Sequence, residues 1–228
     1  MTEDKLLCGF DLETTGVNPQ IARIVTANIT LRDTDSGMEK TWNWLVDPGV
    51  EIPAGATAVH GVTTAQAQAE GWDAAKAVDT IADMLTVAYS DGAYIVVFNA
   101  AYDIPLLEAE LKRYGLPSLA ERIGAPVQRV YDPLVIDRAA DPYRRGKRTL
   151  TAMCPVYGIE PSANAHDAAA DVAMTLDLME ALLKTYNLPE MDKELYEFQR
   201  EAHFDWAESF GKWLRRQGKT DDVSREWI

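Results

Sequence analysis

The order of strand-like and helix-like segments constrains this chain more than any other feature. Residues 5–11 form a short apolar run that turns acidic at Asp11, as is typical of a buried strand with a carboxylate at its end. Two more strand patterns follow at 24–31 and 41–46, with turn residues between them. Three successive strands predict an antiparallel meander. Helical patterns dominate the rest, apart from a β-branched and aromatic strand pattern at 94–98.

Strands followed by helices predict an α/β fold with a mixed sheet flanked by helices. Helices are predicted at about 103–115, 132–139 and 149–157, and an amphipathic helix is predicted after Asp167. The segment 187–189 breaks the helical pattern, so we expect a domain over 1–187 and a helical appendage over 188–228. Within the appendage, a helix is predicted over 195–217 and a tail from Gly218.

Composition argues against several classes of protein. The 228 residues are 47% hydrophobic, which is enough to build a sizeable core. The 22 Lys and Arg against 36 Asp and Glu give a net charge of −14, which disfavours a general nucleic-acid coat protein. Two separate cysteines and three histidines do not fit a disulfide or zinc scaffold. The sequence shows neither a signal peptide nor a membrane span, so we expect a cytoplasmic protein without a membrane partner.

The first acidic segment is the pair Asp11 and Glu13. Residues two apart on a strand point to the same face, so this pair can chelate one hard cation. Asp103 follows the strand pattern at 94–98, where the carboxyl end of a sheet opens into a crevice. An alternative is that Asp103 only caps the helix predicted at 104–115.

A further acidic segment contains His166, Asp167 and Asp171. His166 is expected at the start of a helix and Asp171 about one turn inside it. The alternative for Asp171 is a favourable interaction with the helix dipole only. None of the acidic segments is specific by itself, because short pairs of acids are common in proteins.

Taken together, the order and spacing of these segments resemble those of the DEDDh 3′-to-5′ exonucleases, a family that includes proofreading subunits of replicative polymerases. Residues 11–16 match the family motif Asp-x-Glu-Thr-Thr-Gly, and 99–103 match Asn-x-x-aromatic-Asp. His166 and Asp171 fit the third motif, in which an Asp follows the His by five positions, and Asp167 does not. The resemblance covers roughly residues 5–184 and implies a ribonuclease-H-like fold.

The resemblance implies phosphodiester hydrolysis with two Mg²⁺ or Mn²⁺ ions. The implied metal ligands are Asp11, Glu13, Asp103 and Asp171, and carboxylates suit these hard cations. Four neighbouring acids repel one another, so without metal the site is expected either to be poorly ordered or to have raised carboxyl pKa values. His166, with an ordinary pKa of about 6.5, is expected to take a proton from the attacking water.

The resemblance also implies contacts to the 3′-terminal nucleotide from the first two motifs and from a His-Gly segment. Turn chemistry is the alternative role for 14–16. A basic segment, Arg138 with 143–148, is expected to bind phosphates upstream of the 3′ end, with a solvated loop as the alternative. The predicted substrate-binding residues are Leu12, Thr14, Thr15, His60, Asn99, Tyr102, Arg144, Arg145, Lys147 and Arg148.

The leading hypothesis is a nuclease that releases nucleoside 5′-monophosphates from the 3′ ends of DNA, with single strands preferred. An RNA-directed exonuclease stays open, because it would use the same acidic centre. An interaction subunit is a further alternative, in which the aromatic helix at about 194–217 docks onto a polymerase or a second copy. The helix and tail look more like those of stand-alone actinobacterial or actinophage exonucleases than like a polymerase-binding tail.

Overall fold

The computed structural model describes residues 6–161, 168–189 and 192–228, which form a sheet with helices on both faces. The strands are β1 (Leu6–Thr14), β2 (Ile24–Asp33), β3 (Glu39–Asp47), β4 (Trp72–Asp73), β5 (Tyr94–Val96) and β6 (Val130–Tyr131). The helices are α1 (Ala54–His60), α2 (Thr64–Glu70), α3 (Ala74–Ser90), α4 (Ala100–Arg113), α5 (Leu119–Ile123), α6 (Pro133–Ala140), α7 (Leu150–Met153), α8 (Ala168–Thr185) and α9 (Asp192–Arg216). No helix within these ranges is long and apolar enough to cross a membrane.

The sheet has the strand order β4-β3-β2-β1-β5-β6. Strands β1, β2 and β3 pair antiparallel, whereas β5 is parallel to β1 and β6 is parallel to β5. The predicted meander and the mixed sheet flanked by helices are therefore confirmed. Because β1, β5 and β6 run in one direction, their carboxyl ends lie at the same edge of the sheet, which is where α4 and α6 begin.

The two faces of the sheet pack against different helices. Phe10 and Leu12 of β1 belong to the core cluster that also contains the buried residues of α3. Gly9 lies on the other face, directly against α8. Since side chains alternate along a strand, Asp11 and Glu13 share the α8 face with Gly9.

Helix α4 begins at Ala100, three residues before its predicted start. Its N-cap is Asn99, whose φ of 68° is left-handed and whose side chain makes no capping hydrogen bond. The backbone N–H of Asn99 instead donates to Oδ1 of Asp132 at 3.0 Å. The alternative that Asp103 caps this helix is wrong, because Asp103 lies inside the first turn.

Several other boundaries differ from the predictions. β1 continues to Thr14, so Asp11 lies within the strand rather than at its end, and β5 ends at Val96 rather than at 98. The helix predicted at 149–157 is divided into α7 and a 3₁₀ helix, Cys154–Tyr157. Pro155 explains the division, because proline has no N–H with which to continue the α-helical pattern.

The residues after Asp192 pack on the rest of the molecule. Helix α9 lies against α6, and Leu195, Gln199 and His203 are among its buried residues. The tail predicted from Gly218 folds back, so that Trp227 is 2% exposed within the main core cluster. The domain boundary between 187 and 188 stays a prediction.

Candidate metal centre and active site

Three carboxylates converge where β1 ends beside the start of α8. One oxygen each from Asp11, Glu13 and Asp171 lies within 4.8 Å of the other two. Asp11 and Glu13 reach this point from alternate positions of β1, and Asp171 reaches it from the first turn of α8. The structure thus brings the first predicted motif together with the Asp of the third.

Gly9 allows α8 to approach β1 closely. A Cβ atom at position 9 would lie 2.5 Å from Cγ1 of Val172 and 3.0 Å from Cγ of Leu176. Contacts this short are not tolerated in a packed interior without a shift of one element. The absence of a side chain at Gly9 therefore sets the distance between the strand that carries Asp11 and the helix that carries Asp171.

Asp103, in the first turn of α4, is not one of these three carboxylates, although its charge acts on Asp11. Its side chain is 4% exposed, and its Oδ1 accepts a hydrogen bond from the backbone N–H of Leu12 at 3.0 Å. Leu12 lies between Asp11 and Glu13, so this bond ties the second motif directly to the first. The Leu12 side chain is buried in the core and points away from the carboxylates.

The electrostatics of the group match the predicted repulsion among its acids. Burial raises the pKa of Asp11 well above its ordinary value, and the negative charges of Asp103, Glu13 and Asp171 raise it further. Burial also raises the pKa of Asp103, although the hydrogen bond from Leu12 opposes the shift. A divalent cation would stabilise the ionised carboxylates, and an all-oxygen donor set suits Mg²⁺ or Mn²⁺.

Thr14 and Tyr102 connect the turn after β1 to α4. The Tyr102 hydroxyl lies 2.6 Å from Oγ1 of Thr14, and Oγ1 of Thr14 also donates to the carbonyl of Gly16 at 2.8 Å. Oγ1 of Thr15 accepts from the backbone N–H of Arg23 at 2.9 Å. Both threonine side chains thus take part in turn chemistry, while Tyr102 holds the turn beside the carboxylates.

His60 ends α1 and borders a cavity of about 310 Å³ that also touches Thr26, Gln66 and Ala168. Its Nδ1 accepts from the backbone N–H of Val62 at 3.2 Å, and within the described part of the chain its buried Nε2 has no hydrogen-bond partner. Burial lowers the pKa of His60. The backbone of Thr14 lies close enough to offset part of this shift, but it does not form a hydrogen bond with Nε2 of the ring. Since Thr26 pairs with Glu13 across the sheet, this cavity adjoins the carboxylate group.

The cations of the predicted basic segment lie in three different surroundings. Arg144 pairs at 2.8 Å with the fully buried carboxylate of Asp137, and Arg148 pairs with the same group. Arg145 and Lys147 are exposed. Arg138 stacks on Trp206 of α9, with its guanidinium carbon 3.7 Å from the ring centre.

Sequence reasoning missed Asp132 as a residue that shapes the site. Its carboxylate is fully buried and accepts the backbone N–H groups of Asn99 and Ala100, at 3.0 and 2.9 Å, at the start of α4. An Asp-Pro pair at the start of a predicted helix is a capping signal. The Asp132-Pro133 pair therefore predicts the N-cap of α6, but it does not predict the hydrogen bonds to the start of α4. His166 and Asp167 lie outside the described residues.

Comparisons with known proteins agree with this geometry. The exonuclease family model RNase_T matches residues 8–179. The uncharacterized exonuclease CP81 of Escherichia phage 186 is 32% identical over 185 residues, which are 77% of this chain and 87% of the phage protein. A DNA polymerase III subunit epsilon-like protein of Rhodobacter capsulatus is 33% identical over 102 residues, 43% of this chain and 13% of that protein.

Solved structures of exonuclease I share the fold. One matches with a TM-score of 0.66 and 23% identity, over 80% of this chain and 41% of its own. Exonuclease I of E. coli in complex with a dT13 oligonucleotide matches with a TM-score of 0.64 and 22% identity, over 89% of this chain and 43% of its own. This chain thus spans less than half of these exonuclease I chains. It belongs to the exonuclease (RNase_T) family, as its resemblance to the DEDDh exonucleases predicted.

Proposed function

We propose that this protein is a metal-dependent 3′-to-5′ exonuclease that releases nucleoside 5′-monophosphates from DNA, with single strands preferred. The observation that carries the proposal is the convergence of Asp11, Glu13 and Asp171 within 4.8 Å, in a chain of the exonuclease family. A cluster of this kind has a clear use in phosphodiester hydrolysis, where cations must be held against a phosphate.

Asp11, Glu13, Asp103 and Asp171 would hold two divalent ions. When bound, the ions supply charge neutralisation at the scissile phosphate and activation of the attacking water. The 3.0 Å hydrogen bond from the backbone N–H of Leu12 to Oδ1 restrains the orientation of the Asp103 carboxylate. Burial, and to a lesser degree the neighbouring acids, raise the pKa values of Asp11 and Asp103, which makes it unfavourable to ionise both without cations.

His166 is proposed as the general base that accepts the proton of the attacking water. Thr14, Thr15 and Tyr102 would fix the turn against which the 3′-terminal nucleotide binds, because Thr14 hydrogen-bonds with Tyr102 and Thr15 accepts from the backbone N–H of Arg23. His60 is proposed to contact that nucleotide through Nε2. Because Nδ1 accepts from Val62, the neutral ring carries its proton on Nε2, which is then a donor for a substrate oxygen.

Phosphates upstream of the 3′ end are proposed to lie along the basic segment. Arg145 and Lys147 are the best placed of its cations, because they are exposed, whereas Arg144 and Arg148 are engaged by Asp137. The preference for DNA is favoured by the exonuclease I structures, which include complexes with dT13 and dA16 oligonucleotides.

The test is digestion of 5′-labelled single-stranded DNA and of RNA with the same base sequence, each with Mg²⁺, Mn²⁺ or EDTA. We expect a ladder that shortens from the 3′ end of DNA, loss of activity in EDTA, and slower cleavage of RNA. A phosphorothioate at the 3′-terminal linkage should slow the first cleavage if the polarity is correct. Faster digestion of RNA would establish the RNA-directed alternative.

Three isosteric or near-isosteric variants test the assigned residues. Asp171→Asn and His166→Gln should abolish cleavage, whereas Asp167→Asn should retain it, because Asp167 does not fit the motif. The Asp167→Asn protein is the matched control, since it carries the same chemical change four residues away. If wild type and Asp11→Asn are equally inactive on both substrates, the proposal is wrong for DNA and RNA alike.

A further inference from the structure

Residues 219–228 are anchored along α9. Arg225 pairs with Glu208 of α9 at 2.9 Å and with Asp221 at 2.7 Å. Nε2 of His203 lies 3.2 Å from the carbonyl oxygen of Ser224. Gly211 leaves room for this path, because a Cβ there would lie 2.4 Å from Oδ1 of Asp221. The segment therefore has a defined course that ends inside the core.

Trp227 reaches the buried carboxylate of Asp132 at the end of this course. Its indole N–H donates to Oδ2 of Asp132 at 3.2 Å, and its ring packs 5.5 Å from that of Tyr196. The indole is 2% exposed and Asp132 is fully buried. Burial raises the pKa of Asp132, and the hydrogen bonds from Asn99, Trp227 and Ala100 oppose this shift because they favour the ionised carboxylate. A hydrogen bond to an ionised acceptor contributes more than one to a neutral acceptor.

Asp132 in turn fixes the start of α4. Oδ1 accepts from the backbone N–H of Asn99 at 3.0 Å, and Oδ2 accepts from that of Ala100 at 2.9 Å. Asn99 has a positive φ of 68°, a left-handed conformation that Asn adopts more readily than most residues with a side chain. Asp103 follows within one turn and accepts from Leu12.

We propose that Trp227 is a positioning residue for the second acidic motif. Its N–H orients the Asp132 carboxylate, this carboxylate holds Asn99 and Ala100, and the start of α4 places Asp103 beside Asp11 and Glu13. The part of the proposal that concerns activity rests on the proposed exonuclease function, whereas the part that concerns the start of α4 does not.

The two possible roles of Trp227, filling the core and positioning α4, predict different experimental results. If Trp227 only fills the core, replacing it with another aromatic ring should change stability without affecting α4 more than the rest of its surroundings. If it positions α4, loss of the N–H donor should loosen the Asn99 and Ala100 amides in particular. Trp227→Phe removes the donor and keeps a smaller aromatic ring, so a packing defect would loosen the amides around the whole ring, whereas a loss of positioning would be concentrated at Asn99 and Ala100.

The experiment measures hydrogen exchange of the 99–103 amides in the metal-free full chain, and the Mg²⁺ concentration for half-maximal DNA cleavage. For Trp227→Phe we expect exchange of the Asn99 and Ala100 amides to be about tenfold faster, as for loss of a hydrogen bond to a charged group. We also expect the Mg²⁺ midpoint to rise several-fold. Trp213→Phe is the matched control, since Trp213 is 47% exposed on α9, and it should change neither quantity.

Exchange at 99–103 and a Mg²⁺ midpoint that both stay at wild-type values would overturn the proposal, even if Trp227→Phe melts at a lower temperature. If Trp227→Phe does not fold, Tyr196→Leu loosens Trp227 from its other side and is judged by the same two measurements. A wild-type protein without nuclease activity would refute the proposed function and leave the exchange measurement to decide the role of Trp227.

Discussion

Gly9 is the residue that controls the separation of β1 and α8, and thus the geometry of the carboxylate group. In Gly9→Ala the new Cβ would lie 2.5 Å from Cγ1 of Val172, so either the Val172 side chain or α8 itself must shift, and we expect α8 to move away from Asp11 because Val172 is fully buried. We expect a loss of about 1–3 kcal/mol in the free energy of unfolding, as for other overpacked cores, and a larger loss of nuclease activity at saturating Mg²⁺. Urea denaturation and DNA digestion measure the two effects.

A second glycine serves as the control for this change. Gly55 lies in α1 with an ordinary φ, and a Cβ added there would meet no atom of the described residues within 4 Å beyond its own helical turn. Gly55→Ala should therefore retain full stability and activity. Unchanged activity in Gly9→Ala would mean that the distance between Asp11 and Asp171 does not depend on this close contact.

Asp103 gives a prediction for the pH dependence of stability. Because its pKa is raised in the folded protein, its ionisation opposes folding once the pH exceeds the ordinary carboxyl value of about 3.9. Asp103→Asn removes this ionisation and keeps an oxygen that can accept from Leu12. In EDTA, we expect the variant to gain stability relative to wild type between about pH 5 and about pH 8.

Urea denaturation of both metal-free proteins at the two pH values measures this difference. Added Mg²⁺ should reduce the advantage of the variant, because a bound cation stabilises the ionised carboxylates of the wild type. A difference in stability that is the same at both pH values would contradict the assignment of a raised pKa to Asp103.

The segment 141–149 and helix α6 act as one element. Asp137 of α6 is fully buried and accepts from Arg144 at 2.8 Å, from Arg148, and from the Tyr157 hydroxyl at 2.7 Å. Removing one side of a buried charge pair leaves the other side uncompensated. For Asp137→Asn we therefore expect a loss of about 3 kcal/mol in the free energy of unfolding, measured by urea denaturation.

The exposed cations of the same segment should affect DNA binding rather than stability. Replacing Arg145 and Lys147 together with Ala should change stability by less than about 0.5 kcal/mol. If both contact phosphates, the slope of log affinity against log salt should become shallower by about 1.4 for single-stranded DNA. An unchanged slope would remove these two residues from the substrate site.

Sequence patterns predict some of these elements well and others poorly, for a physical reason. Strands β1, β2, β3 and β5 are predictable because their apolar runs are local, whereas the two-residue strands β4 and β6 are too short to leave a pattern and are not predicted. The carboxylate group is predictable because Asp11, Glu13 and Asp171 stand in recognisable local motifs. The start of α4 is not predictable, because its cap is the carboxylate of Asp132, 33 residues away in the chain. The burial of Trp227 also depends on a distant contact, so 219–228 resembles a tail in the sequence.

The whole molecule extends beyond the part that the family model matches. That match ends at 179 and so leaves out α9, which hydrogen-bonds to the edge strand β6. The side-chain amide of Gln199 accepts from the backbone N–H of Asp132 at 2.8 Å and donates to the carbonyl of Val130 at 2.8 Å. Gln199 thus satisfies backbone groups that an unprotected edge strand would expose.

Removal of 192–228 tests whether this part is integral to the fold. The deletion would expose the β6 edge, withdraw the hydrogen bond from Trp227 to Asp132, and uncover the buried surface that Leu195 and Trp227 fill. Since a domain is stable by only about 5–15 kcal/mol, we expect the shortened chain to aggregate or to lose its cooperative unfolding transition. Light scattering and thermal unfolding measure these outcomes, with Trp213→Ser in the full chain as a control that changes only an exposed part of α9. A soluble, cooperatively unfolding and active 1–191 fragment would contradict this expectation, because it would show that the catalytic region folds alone and that α9 is free for other contacts.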